Sequence, residues 1–257
     1  MWVQLMKSSK LTLLTASALA LPAITQPSLA AGPTTSSKIK LNVGSYQEED
    51  IKEDKTLNAN RGRYDVDIGQ FYLLTPLGER GEFTLNLAYE KMSGASPWFT
   101  LPGLDGEAVQ IMSGATIADQ RTDTALSYKH FWDTVAVQVS TGLSDEDDYR
   151  AKNLGLSVHK ELNNGLTEVA LAFAYSRDKL RPTDAELFLT RPESADKYLQ
   201  EIGATLTQVI NASTIVQTSF NYEKQWGYLS DPYKTVFVDN AILGDTRPQT
   251  RYAWSWT

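Results

Sequence analysis

The chain has 257 residues, no cysteine, and 31 acidic against 24 basic residues. Without thiols it has neither a disulfide framework nor a thiolate metal site, and so acidic a chain is a poor partner for nucleic acid. Past the N-terminus no segment approaches 18 consecutive apolar residues, which excludes an ordinary helical membrane protein. A transmembrane barrel stays open, because each of its strands needs only about 10 residues and is apolar on one face.

At the N-terminus, Lys7 and Lys10 precede an apolar stretch from Leu11 to Ile24 that closes near Ser28, Leu29 and Ala30. That order predicts a secretory signal peptide over 1–30, cut after Ala30, and a β-barrel domain over 31–257. Thr15, Ser17 and Pro22 interrupt the apolar core, leaving it short of the roughly 20 residues a retained helical anchor needs. Loss of Lys7 and Lys10 leaves 22 basic against 31 acidic residues, a net charge of about −9.

From residue 38 onward the helical period is nearly absent and period-2 alternation recurs between turn signals, so the chain reads as all-β. In 64–74, Tyr64, Val66, Ile68, Gln70, Tyr72 and Leu74 alternate with Asp65, Asp67 and Gly69. Phe83, Leu85, Leu87 and Tyr89 alternate with Thr84, Asn86, Ala88 and Glu90. The same pattern runs through 135–140, 154–159, 169–176 and 216–222. Weaker runs at 38–48, 122–131, 198–210 and 251–257 bring the strands to about ten. Short links at 76–81, 132–133, 163–165 and 211–213 alternate with links at 49–62, 93–121, 144–149, 177–197 and 225–250, four of which are long. A soluble sandwich has no reason to sort its loops in this way. Short periplasmic turns opposite long external loops are the pattern of an antiparallel up-and-down transmembrane β-barrel.

With the N-terminus in the periplasm, Tyr64, Tyr89, Tyr175, Tyr198 and Tyr222 fall at the external ends of their strands and share the apolar parity. They are expected to form an interfacial girdle, where amphipathic rings meet lipid headgroups. Parity places the other positions on the inner wall: Asp65, Asp67, Asn86, Glu90, Asp123, Glu168, Glu201, Gln217 and Asn221, with Lys129 as the main opposing cation. Such an acid-rich wall favours cations.

The stretch Gly227-Tyr228-Leu229-Ser230-Asp231-Pro232-Tyr233-Lys234, the later Arg247, Pro248, Arg251 and Trp254, and the segments Ser93–Pro97 and Met112–Thr116 resemble the bacterial family called domain of unknown function 3570. The resemblance covers most of 38–257. It implies an outer-membrane barrel and supplies no activity. Family members continue for many more strands, so the resemblance also implies a barrel that is truncated or incompletely closed at Trp256-Thr257.

Catalytic constellations are weak throughout. His130 and His159 lie on different strands without zinc-site spacing, and no Gly-x-Ser-x-Gly elbow or phosphate-cradling glycine loop occurs. Ser93, Ser96 and Ser113 read as turn residues of a long loop. The acidic clusters Glu48, Glu49, Asp50, Glu53, Asp54 and Asp145–Asp148 lack the glycine and terminal glutamate of an EF-hand and read as solvated loop charge. The sequence therefore predicts a non-enzymatic protein of the Gram-negative outer membrane with no cofactor or metal. Its partners are outer-membrane lipid and lipopolysaccharide, together with small solutes if the barrel is a porin-like passage. A surface scaffold working through loops 177–197 and 225–250 is the alternative.

Overall fold

The computed structural model describes residues 32–56, 61–94, 97–102, 107–112, 117–233, 235–238 and 241–257. The signal peptide expected over 1–30, the motif residues Ala95, Ser96, Ser113–Thr116 and Lys234, and parts of three loops lie outside them.

Ten strands form one antiparallel sheet in strictly sequential order: β1 (Lys38–Gln47), β2 (Asp65–Pro76), β3 (Gly81–Gly94), β6 (Ile117–Phe131), β7 (Val135–Asp145), β8 (Tyr149–Leu162), β9 (Thr167–Leu180), β10 (Ala195–Asn211), β11 (Thr214–Gly227) and β14 (Thr250–Trp256). These are the ten strands that alternation predicts, most of them longer at one or both ends. Two hairpins inside the long links escape the alternation argument, β4 (Pro97–Pro102) with β5 (Ala108–Met112) and β12 (Thr235–Val238) with β13 (Ala241–Gly244). Thr-Val-Phe-Val and Ala-Ile-Leu-Gly are short runs with no clear period, which sequence pattern cannot tell from buried loop.

The sheet's turns sort by side. One end carries 77–80, 132–134, 163–166 and 212–213; the other carries 48–64, 95–116, 146–148, 181–194 and 228–249. The β8–β9 turn works because Asn163 and Asn164, at φ 52° and 53°, and Gly165, at φ 83°, tolerate the left-handed region. Gly227, at φ 98°, ends β11 where a Cβ would overlap the carbonyl oxygen of Asp196, so only glycine lets the chain leave the sheet this close to β10.

Among the described residues, β1 and β14 have no strand on their outer edges, so the sheet is an incompletely closed barrel. Its curl is direct. One cavity of about 320 Å³ is lined by Tyr149 of β8 and by Arg251 of β14, four strands along, positions about 19 Å apart in a flat sheet.

The polarity is inverted relative to a water-soluble domain. Two neighbouring register rows make the point. Facing inward across eight strands run Glu82, Lys129, Gln138, Ser157, Ala172, Gly203, Asn221 and Ser255; facing outward one residue away run Phe83, Tyr128, Val139, Leu156, Phe173, Ile202, Tyr222 and Trp254. The inward residues are small or polar, and the buried ones include Lys129 at 8%, Asp178 at 4% and Ser144 at 1% exposure. The outward residues are apolar and open, with Leu154 at 52%, Leu171 at 56% and Trp254 at 72%. No sheet in water would present that second row to solvent.

Candidate functional site

The inward wall is the candidate site. Asn86 and Glu90 of β3, Asp123 and Lys129 of β6, Glu168 of β9, Glu201 of β10 and Gln217 and Asn221 of β11 all share the inward parity of the register. Asp65 and Asp67 do not. They pair with Ser93 and Lys91 of β3 and with Gln47 and Ser45 of β1, on the outward face at the long-loop end. Val66, Ile68, Tyr72 and Leu74 turn inward instead, opposite Met92, Glu90, Asn86 and Thr84. The reason lies in the lower half of β2, where Phe71 and Leu73 make both faces apolar, so the strand's own pattern does not choose. Its neighbours do: Ile39 and Leu41 of β1 and Leu85 and Leu87 of β3 place Leu73 and Phe71 outward.

Inward charge forms three clusters. At the long-loop end, Arg121 reaches Asp123 at 2.5 Å, Glu146 at 3.4 Å and Glu90 at 4.0 Å, and donates to Ser144 Oγ at 3.2 Å. One guanidinium thus faces three carboxylates, and Asp123 Oδ1 is buried without a hydrogen-bond partner among the described residues. Beside it, the buried Asp178 accepts from Tyr149 Oη and Ser176 Oγ, each at 2.5 Å, with Lys197 Nζ 3.7 Å away. Towards the short-turn end, His159 Nδ1 lies 3.1 Å from Glu168, and Lys129 stands opposite Glu82. Glu201 and Glu223 are direct cross-strand partners, and Gln225 donates to Glu223 at 2.7 Å. Like charges set directly opposite one another repel. Sequence parity expected Lys129 as the main inward cation; Lys38, Lys40, Arg121, Lys197 and Arg251 join it, which narrows the acid excess. Arg121 sits two residues before Asp123 on the same strand and was legible as inward from the same alternation.

The outward aromatic residues cluster. Tyr89, Tyr175, Tyr198 and Tyr222 are outward, while Tyr64 precedes the first residue of β2 and is outside the strand. Tyr198 stacks on Trp226 at 5.3 Å with Tyr175 at 6.3 Å from the same indole, and Tyr222 lies 6.4 Å from Tyr252. Trp226, Tyr252 and Trp254 extend the aromatic face beyond the tyrosines that sequence parity selects. His130 lies outward between Tyr128 and Trp132, with ring centroids 4.3 Å apart from the latter.

At the mouth, the loops lace together. Tyr233 Oη donates to Asp148 and meets the backbone of Thr183, Arg191 covers the rings of Phe188 and Tyr233, and Asp245 accepts from Asp231 N and Arg247. Burial and the bond to Asp148 push the Tyr233 phenol above its usual range. The acidic loop clusters have protein partners: Glu48 pairs with Arg63 at 2.7 Å, and Asp145 with Arg150 at 2.6 Å. Tyr228, Leu229, Ser230, Arg247, Pro248 and Arg251 line the 320 Å³ cavity together with Tyr149 and Lys197, so part of the stretch that carries the family resemblance lies against the inward face at the long-loop end.

Comparison with known proteins gives a family but no activity. The family "Protein of unknown function (DUF3570)" matches residues 11–257. No curated protein matches the chain in sequence. Among solved structures, the outer-membrane expressed OmpT of Vibrio cholerae is 7% identical, with a TM-score of 0.44 over 87% of this chain and 78% of that one. The in-vitro folded trimer form of the same protein gives 8% identity and 0.41 over 84% and 64%, and its loop L8 deletion mutant 8% and 0.39 over 86% and 60%. This chain therefore spans less than two thirds of the latter two structures.

Proposed function

Since this chain belongs to the DUF3570 family, whose description names no activity, we propose from its geometry that it is an outer-membrane β-barrel protein serving as a passage for small solutes. The observation that carries this reading is the inverted polarity of the ten-stranded sheet. An apolar, aromatic-rich outer surface matches hydrocarbon. A polar inner wall matches water. Export by a cleaved signal peptide over 1–30 would deliver the chain across the inner membrane.

Glu90, Glu201 and Glu223 make the passage prefer cations, against the partial neutralisation by Lys38, Lys40, Arg121, Lys129, Lys197 and Arg251. The test is insertion into planar lipid bilayers with reversal potentials read across a salt gradient. Cation-selective conductance is the expected result; folded protein that inserts and never conducts removes the passage. A second reading, a non-enzymatic surface scaffold, rests on the laced loops at the mouth, where Asp148, Thr183, Arg191 and Tyr233 tie three loops into one surface.

A further inference from the structure

On the outward face of β8 and β9, close to the long-loop end, the register sets Arg150 directly opposite Lys179 and Lys152 directly opposite Arg177. Four cations occupy two adjacent cross-strand pairs on a chain whose net charge is −7. Like charges in direct cross-strand opposition destabilise a sheet. Protein carboxylates relieve only part of this. Asp145 binds Arg150 through both oxygens, at 2.6 and 2.9 Å, and Asp196 meets Arg177 at 3.3 Å, both from the flanking strands. Lys152 and Lys179 are exposed and make no ion pair among the described residues.

The surroundings set the chemistry of an anion that would suit these cations. Descending the outward face of β9, the residues run Lys179, Arg177, Tyr175, Phe173, Leu171 and Val169; on β8 they run Arg150, Lys152, Leu154, Leu156 and Val158. Cation, then aromatic, then aliphatic is the order of a headgroup, an interface and an acyl layer. Next to the cations, Arg177 lies over Tyr198 at 5.8 Å, Tyr198 stacks on Trp226, and Lys224 lies over Trp226 at 5.2 Å. A free small anion would have no use for the apolar wall beneath it.

We propose that this patch binds the phosphate groups of a phosphorylated glycolipid of the external leaflet, with its acyl chains lying along Leu154, Leu156, Leu171 and Phe173. Phosphate offers the oxygens that arginine takes in bidentate fashion, and each lysine or arginine near a membrane surface adds to the attraction for anionic lipid. The site rests on the outer-membrane part of the function proposed above but not on conductance.

The test uses the chain refolded in detergent, with heat-modifiable migration as the readout of the barrel and native mass spectrometry as the readout of bound lipid. Bis-phosphorylated lipid A should be retained in preference to its dephosphorylated form and to phosphatidylcholine. Lys152→Gln with Lys179→Gln should weaken that retention roughly thirty-fold, Lys152→Arg with Lys179→Arg should preserve it, and Lys160→Gln, at the opposite end of β8, should leave it unchanged. Equal retention of the dephosphorylated lipid by the unaltered protein overturns the proposal whatever the variants do. So does full displacement by inorganic phosphate at matching concentration, or a double glutamine variant that binds as well as the parent. Failure to fold into detergent or lipid at all defeats the barrel reading instead, so the two failures are separable.

Discussion

The middle of the sheet and its flanks are built from the same alternating pattern and end up in opposite states. Between β6 and β9 the inward side chains are buried in polar contacts: Arg121 with its carboxylates, Asp178 with Tyr149 and Ser176, His159 with Glu168. On β1 every residue is exposed, and on β14 all but Ala253. Hydropathy does not separate the two regions; curvature does. An inward polar residue is buried when the sheet bends another strand's side chains over it, and stays wet where the edge opens. Charge in the middle is consequently structural, and charge at the rim is not.

The largest effect expected from that contrast is at Asp178. Asp178→Ala strips the partner from Tyr149 Oη and Ser176 and leaves Lys197 facing an emptied site, which should lower unfolding stability by about 3 kcal/mol. Asp67→Ala at the outward rim should change it by less than about 0.5 kcal/mol. Urea titration of both in vesicles measures the gap, and equal losses would break the distinction. Next comes Arg121→Met, which removes the guanidinium that Glu90, Asp123 and Glu146 share and should cost about 2 kcal/mol. Adding Asp123→Asn should recover part of it, a coupling that a double-mutant cycle reads directly.

Selectivity sharpens the comparison on the functional side. Glu201→Gln with Glu223→Gln, and separately Glu90→Gln, should move the reversal potential toward zero, whereas Asp67→Asn should leave it in place because Asp67 points outward. A shift from Asp67→Asn equal to that from Glu90→Gln would contradict the register. The smallest effect is at the mouth. The Tyr233 phenol is raised by burial and by its bond to Asp148, so in the folded protein it keeps its proton above the ordinary tyrosine value of about 10. Its contribution is therefore complete below that pH and is lost as pH rises through the raised folded value. Protease cleavage within 181–194 and 228–249 should accelerate only beyond pH about 10, and Tyr233→Phe should bring the faster rate down to neutral pH.

Alternation and loop lengths were enough to read the ten strands, their antiparallel order and the side on which the long links lie. β3, β9 and β11 alternate cleanly, and β6 and β10 more weakly but in the same phase as their neighbours, so Asn86, Glu90, Asp123, Lys129, Glu168, Glu201, Gln217 and Asn221 could be placed on one face from the sequence. β2 was read with the wrong face inward: Val66 and Ile68 against Asp65 and Asp67 favour the even positions for lipid, but the lower half is apolar on both faces and the register with β1 and β3 turns the even positions inward. Arg121 was readable by the same parity as Asp123, while the two loop hairpins lacked any period to find.

By itself, then, the sequence determined a repeating strand-and-turn grammar with one apolar and one polar face, since side-chain direction in a strand depends only on position parity. Tertiary structure alone decided which parity of β2 turns inward, which inward charges are neutralised and which remain wet, and that Arg150, Lys152, Arg177 and Lys179 stand together on the outer surface. Those facts depend on register and curl, which bring residues tens of positions apart into contact, and no local periodicity encodes a distance between strands.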